Sequence, residues 1–287
     1  MGITRFAQND LARISYEADG PDTASVVVML HATLADRGSF GPLRDALADS
    51  MRVILPDARG HGASAALQGR AYDVSDMAND LYAVLEAEGL IHKPDGQIHI
   101  IGHGQGAIAA LELTRCRPKL VSSLTLIEPD ALSLLDGEDD IETVIAREEA
   151  RNANRAAAEA AYKGLADRAL ALYLDARWGE GWAERLARPR AAAVRRNVLA
   201  LSASLDALDR YRILPEEIFQ IVVPARVVAA ATSPTTVRQI AQRLGTWLPR
   251  GRAVYVARLP GGAPFSAEGE AAINLIEEWV REQSTQA

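Results

Sequence analysis

The sequence predicts an α/β protein, with a mostly parallel central sheet flanked by helices and a helical lid inserted late in the chain. Three observations carry that expectation. Short β-rich runs alternate with segments of helical apolar spacing, the pattern of a parallel sheet covered by helices on both faces. One long interval has no strand-like run and is rich in Ala, Arg and Glu. Three turn-like motifs fall at the C-terminal ends of expected strands, where open α/β sheets place their sites.

Taken in order, Ile14–Glu17 is expected as an antiparallel edge strand and Ser25–Leu30 as the strand after it. Helix Gly41–Ala48, strand Arg52–Leu55, helix Val74–Gly89 and strand Gln97–Ile101 follow, the helices read from their apolar periodicity. Helix Gly106–Cys116 then leads into strand Ser122–Ile127. From about Leu132 to about Phe219 the alternation stops. There Ile141–Leu174 and Ala191–Leu208 are good helix formers of mixed charge, and their charge runs read as a solvated outer face. Strand Ala225–Ala230, helix Thr235–Leu248, strand Ala253–Val256 and helix Ala267–Arg281 complete the chain. Residues 1–130 and 221–287 are therefore assigned to the core, and 131–220 to the lid. No internal repeat or low-complexity linker interrupts this order.

Composition sets limits on function. At 287 residues the chain is long enough to bury a substantial core, and 48% apolar with 24% charged residues is ordinary for a soluble protein. A formal charge of −7 argues against a nucleic-acid surface, which needs clustered Lys and Arg. Cys116 is the only cysteine, so no disulfide forms within the chain; it reads as a packed core thiol. The start MGITRFAQND has no signal-peptide run, and Phe6 stands where a myristoylation motif needs Ser or Thr. With no apolar stretch of about 18 residues, a soluble cytoplasmic protein without membrane or nucleic-acid partners is expected. No His or Cys spacing suggests a metal site, and no cofactor is expected. Association into a homodimer stays open.

The three motifs are Val26–Val27–Val28–Met29–Leu30–His31–Ala32–Thr33, then Asp57–Ala58–Arg59–Gly60–His61–Gly62–Ala63–Ser64, then Ile101–Gly102–His103–Gly104–Gln105–Gly106. In this order and spacing they resemble the α/β-hydrolase superfamily over nearly the whole chain. The resemblance implies an α/β-hydrolase fold with a strand–turn–helix elbow at the third motif. It also implies an oxyanion site built by the backbone N–H groups of Thr33 and Gln105 at a helix N-terminus.

The family's catalytic triad finds no counterpart at the matching positions. In the elbow pattern G-x-S-x-G the nucleophile position is Gly104, and a glycine has no atom with which to attack a carbonyl. The stretch Val227–Pro234, where the acid is expected, has no carboxylate, and Ser233 lies at or beside its place. Pro264 stands where the histidine is expected. Independently of that register, the five histidines are His31, His61, His92, His99 and His103, so none follows the elbow as the family's chain order requires.

What is left favours a site that binds a small, largely apolar carbonyl compound. His31, His103 and Glu128 are the candidates for moving protons, although bracing their own loops is the commoner role for both histidines. Ala32, Thr33, Gly104, Gln105, Ser233, Pro264 and Phe265 are candidate substrate-binding residues. His61 and Asp57 are expected to hold loops together, and Glu128 or Asp130 to meet a loop amide or a lid arginine. Trp178 and Trp182 are expected to pack within the lid, a pocket or an interface being the other possibility. The leading expectation is a non-hydrolytic enzyme of cyclase, isomerase or lyase type. A catalytically silent binding or partner-stabilising protein is the first alternative, and a hydrolase with an unusual base the second. A dinucleotide-binding oxidoreductase is the weakest: Gly102, Gly104 and Ala107 fit G-x-G-x-x-A, with Glu128 on the next strand. That fingerprint normally opens its domain, and here about 100 residues precede it.

Overall fold

Continuous apolar runs make the centre of the sheet, because a strand covered on both faces needs apolar side chains at successive positions. Val26–Leu30 (VVVML) is such a run, and all five residues are buried. The computed structural model describes residues 3–9, 12–22, 24–66, 71–92, 98–182, 186, 188–259 and 269–286.

The strands are β1 (Ile3–Gln8), β2 (Ala12–Asp19), β3 (Val26–Leu30), β4 (Arg52–Pro56), β5 (Ala65–Ala66), β6 (Ile98–His103), β7 (Val121–Ile127), β8 (Ala225–Ala230) and β9 (Gly251–Val256). Their order across the sheet is β1-β2-β4-β3-β6-β7-β8-β9, with the short β5 paired to β2. From β4 to β9 every pairing is parallel, and β2 joins β4 antiparallel. The helices are α1 (Gly41–Leu47), α2 (Val74–Ala87), α3 (Gln105–Cys116), α4 (Ile141–Tyr162), α5 (Ala166–Trp178), α6 (Arg188–Arg210), α7 (Pro215–Ile218), α8 (Thr235–Trp247) and α9 (Glu270–Gln286).

Alternate residues of the central strands serve two cores. Val26, Val28 and Ile100 pack with α2, α3 and α8 on one face. Val27, Met29 and Ile101 pack with α1 and α9 on the other. Helices α4 to α7 fall between β7 and β8, and no strand occurs there among the described residues. Helices α4, α5 and α6 build a third cluster, into which Leu34 from the β3 loop inserts, while Ile218 of α7 packs in the first.

The α/β-hydrolase fold expected from the motifs is the fold observed, and the sequence-based elements match it to within a few residues. Three differences have clear causes. β1 was not anticipated: it is an edge strand paired only with β2 and largely exposed, so it lacks an apolar alternation. The stretch Ile141–Leu174 is two helices, because α4 ends at Tyr162, Lys163 caps it and Gly164 turns the chain at φ 73°. Cys116 is exposed rather than packed in the core: it is the last residue of α3, with its thiol beside the Glu112 carboxylate at 3.6 Å. Among the described residues no helix is long and apolar enough to cross a membrane.

Candidate active site

The loop after β3 is held by two histidines that work reciprocally. The His31 Nδ1–H donates to the Ala32 carbonyl (2.9 Å), and Nε2 accepts from the Ala58 N–H (2.8 Å). His61 pairs its Nδ1 with the Arg59 carbonyl (2.9 Å) and accepts the Leu34 N–H at Nε2 (3.3 Å). The rings lie 5.3 Å apart. Burial pushes both imidazoles down, His61 to about 3, so each is neutral. His31 does not line the elbow cavity, and neither ring nitrogen is available to a substrate. The expected proton-transfer role of His31 therefore has no support in its geometry; it braces its loop. Asp57 also holds loops, accepting the backbone N–H groups of Arg37 and Ala63 (both 2.9 Å).

Leu34 sits at φ 66°, a conformation that costs a non-glycine residue energy and needs outside support. Asn197 of α6 supplies it. The Asn197 amide donates to the Leu34 and Ala35 carbonyls (3.2 and 2.7 Å), while its Oδ1 accepts the Gly62 N–H (3.0 Å). One buried side chain thus joins the inserted helices to the loop that carries Thr33. Sequence reasoning passed over Asn197; a polar amide mid-helix, a poor helix former, was the available signal.

β6 ends at His103, and Gly104 turns the chain into α3 at φ 56°, ψ −118°. Its N–H donates to the Ile127 carbonyl (2.9 Å). A Cβ at Gly104 would lie 3.0 Å from the Ala32 Cβ, so the Ala32 methyl faces the place a nucleophile's stem would fill. Among the described residues neither the Thr33 nor the Gln105 backbone N–H meets an acceptor. Gln105 opens α3, where no intrahelical acceptor exists. Gln105 lines a separate cavity of about 40 Å³ with His31 and Gly106, and it is not among the residues lining the elbow cavity, where the sequence had placed it.

Glu128 follows β7 at φ 43°, its N–H donating to the Val228 carbonyl (2.8 Å). The Ser233 hydroxyl donates to one of its carboxylate oxygens and accepts the Ala230 N–H (2.9 Å). The other oxygen lies 3.7 Å from the His103 Nε2. Ser233, at the expected acid position, is thus coupled to a carboxylate one strand away.

Asp130 meets an arginine of the inserted helices: the Arg177 guanidinium donates to it at 3.0 Å. Arg177 also donates to Asn154 (2.9 Å) and lies 3.8 Å from the centre of the Tyr173 ring. Burial raises the Tyr173 phenol to about 12. Burial opposes the Arg177 charge, but Tyr173 and Asp130 outweigh it and its pKa is raised.

These groups enclose a cavity of about 50 Å³, small beside the few hundred of a drug-sized pocket. Ala32, His103 and Gly104 line it from the sheet side, and Tyr173, Arg177 and Trp178 from the inserted helices. Trp178 stacks on Trp182 with ring centroids 4.5 Å apart. His103, Glu128, Ala32, Thr33 and Gly104 all reach the cavity; Ser233 joins through Glu128. Pro264 and Phe265 lie outside the described residues. Tyr173, Arg177 and Arg190 line the cavity without having been anticipated, because nothing in a helical sequence says which face turns inward.

The sheet order, the elbow and the inserted helices define an α/β-hydrolase, and the chain belongs to that family: the alpha/beta hydrolase fold model matches residues 25–268. Among curated relatives it is similar to the protein named "Putative carbamate hydrolase RutD" from Variovorax paradoxus, 30% identical over 115 residues. That is 40% of this chain and 41% of that protein. The protein of the same name from Caulobacter segnis is 34% identical over 117 residues, 40% of this chain and 42% of that protein. The chain thus matches about two fifths of the length of these relatives. An alpha/beta hydrolase from Sphaerobacter thermophilus shares the fold with TM-score 0.72 and 20% identity, covering 96% of this chain and all of that one. The enol-lactonase from Burkholderia xenovorans does so with TM-score 0.71 and 17% identity, over 96% and 100%.

Proposed function

We propose that this protein is an enzyme of the α/β-hydrolase family that acts on a small carbonyl compound without forming a covalent intermediate. The observation that carries the proposal is Gly104, which takes the elbow conformation with no side chain to attack from it. In this reading the family's triad is lost at all three places, with Gly104, Ser233 and Pro264 standing for nucleophile, acid and histidine.

The remaining groups suit proton transfer beside a carbonyl. The Thr33 amide polarises the carbonyl oxygen, and the start of α3 behind Gly104 favours the negative charge that develops there. The Glu128 carboxylate and the His103 imidazole, 3.7 Å apart, take a proton from the adjacent carbon and return it elsewhere. Ser233 orients Glu128, and the inserted helices close over the site as a lid. Enolisation of this kind underlies isomerisation, cyclisation and elimination alike.

The test is deuterium incorporation from D2O into ketones and 1,3-diketones such as acetylacetone, followed by NMR. Wild-type protein is expected to accelerate exchange at the carbon beside the carbonyl. Glu128→Gln and His103→Gln should each lose roughly 100-fold or more, the usual worth of a general acid or base. Exchange unchanged in both variants refutes the roles, and compounds that bind but never exchange point to a silent binding protein.

A second reading, hydrolysis by a water that the Glu128–His103 pair activates, is favoured by the hydrolase name of the curated relatives. Amine release from simple carbamates, abolished by Glu128→Gln, would select it over enolisation.

A further inference from the structure

We propose that the ligand of the elbow cavity carries a carboxylate, and that Arg190 is the residue that binds it. The inference rests on the reading of this cavity as the ligand site and narrows the substrate to a short oxo-acid.

Each charged side chain lining the cavity has a hydrogen-bond partner among the described residues, with one exception. Glu128 is held by Ser233 and lies beside His103. Asp130 and Arg177 hold each other, with Asn154 and the Tyr173 ring completing the guanidinium's surroundings. Arg190, in the first turn of α6, lines the same cavity. Its Nε is buried without a hydrogen-bond partner among the described residues.

No carboxylate of the described residues lies within ion-pair distance of Arg190. The one that acts on it, Asp36, is engaged by Arg196 and by the Gly38 N–H, both at 3.1 Å. The Trp182 ring, 5.9 Å from the guanidinium carbon, is a weak substitute. Burial lowers the Arg190 pKa to about 10, with Asp36 only partly opposing. Arg190 is half-buried, and a guanidinium partly withdrawn from water without a counter-ion is unfavourable, while its planar fork matches a carboxylate with two parallel hydrogen bonds.

The two recognition elements come from opposite sides. The sheet side offers the Thr33 amide to a carbonyl oxygen, and α6 offers Arg190 to an anion. Apolar surface from Leu174, Trp178 and Val194 lines the cavity as well. A molecule with a ketone and a carboxylate a few atoms apart satisfies both.

Binding is measured by calorimetry and thermal shift with pyruvate, 2-oxobutyrate and benzoylformate, each beside its neutral methyl ester. At least one oxo-acid is expected to bind ten- to a hundredfold more tightly than its ester, the range of a charge-assisted hydrogen-bond pair. Arg190→Gln erases the difference, and Arg190→Lys, a point charge without the fork, retains part of it. Unliganded Arg190→Gln melts no lower than wild type, which separates a ligand anchor from a structural arginine. Binding is read on the wild-type protein whether or not deuterium exchange occurs, so a failed enolisation reading is distinguishable from a failed anchor. Oxo-acids that bind no better than their esters, neither binding included, overturn the proposal. So does Arg190→Gln binding as wild type does.

Discussion

Replacing Gly104 by serine puts a side chain back where the elbow has none, and the structure sets the cost. At φ 56°, ψ −118° an L-residue is strained, by about 1–3 kcal/mol for such a conformation. The new Cβ would also lie 3.0 Å from the Ala32 Cβ, close enough that one side must yield by a few tenths of an ångström. Overpacking of this kind adds about 1 kcal/mol. The total, roughly 2–4 kcal/mol, corresponds to a melting point lower by roughly 3–7 °C in a chain of 287 residues. Thermal unfolding followed by circular dichroism reads it directly. Ala32→Gly in the same chain removes the contact but not the strain, so the double variant should recover about 1 kcal/mol. A Gly104→Ser protein that melts within 1 °C of wild type would refute the reasoning about both strain and contact.

Other consequences are equally specific. Burial lowers the folded pKa of His99 to about 4 and of His61 to about 3, below the unfolded value near 6.5. The folded state then holds fewer protons, so stability is full above pH 6.5 and falls as pH drops toward those values. His99 alone should remove about 3 kcal/mol by pH 4. Urea midpoints at pH 7, 6 and 5 check this, and an unchanged midpoint at pH 5 contradicts it. Asn197→Ala should cost about 2–3 kcal/mol through two carbonyls and one N–H left short of partners. Asn197→Asp, which turns a carboxylate oxygen toward the same carbonyls, should cost more; urea unfolding ranks the two. Asp130→Ala leaves the Arg177 guanidinium buried without its carboxylate and should destabilise by about 3 kcal/mol, with the double variant Asp130→Ala/Arg177→Met recovering most of it.

The sequence carried the sheet well because parallel strands announce themselves as short apolar runs, as VVVML at Val26–Leu30 does. Edge strand β1 was illegible for the converse reason, since most of its side chains face solvent. On the site, motif order located the Thr33 loop, the Gly104 turn and Glu128, which all reach one cavity. Motif order was misleading for His31, because a sequence does not show that both ring nitrogens are taken by backbone. Cys116 misled in the same way, its helix ending just where its burial was to be decided. The inserted helices hid the most: Tyr173, Arg177, Arg190 and Asn197 sit among many similar residues of alanine- and arginine-rich helices. Only their packing shows which of them turn toward the sheet.

Whether the site works without a nucleophile is tested most directly by intact-protein mass spectrometry after incubation with a serine-directed fluorophosphonate and with activated acyl esters. The account predicts an unchanged mass, because Gly104 offers no hydroxyl at the elbow and the Ser233 hydroxyl is committed to Glu128. A stoichiometric adduct mapped to Ser233, or to Ser266 outside the described residues, would show a working covalent nucleophile and contradict it.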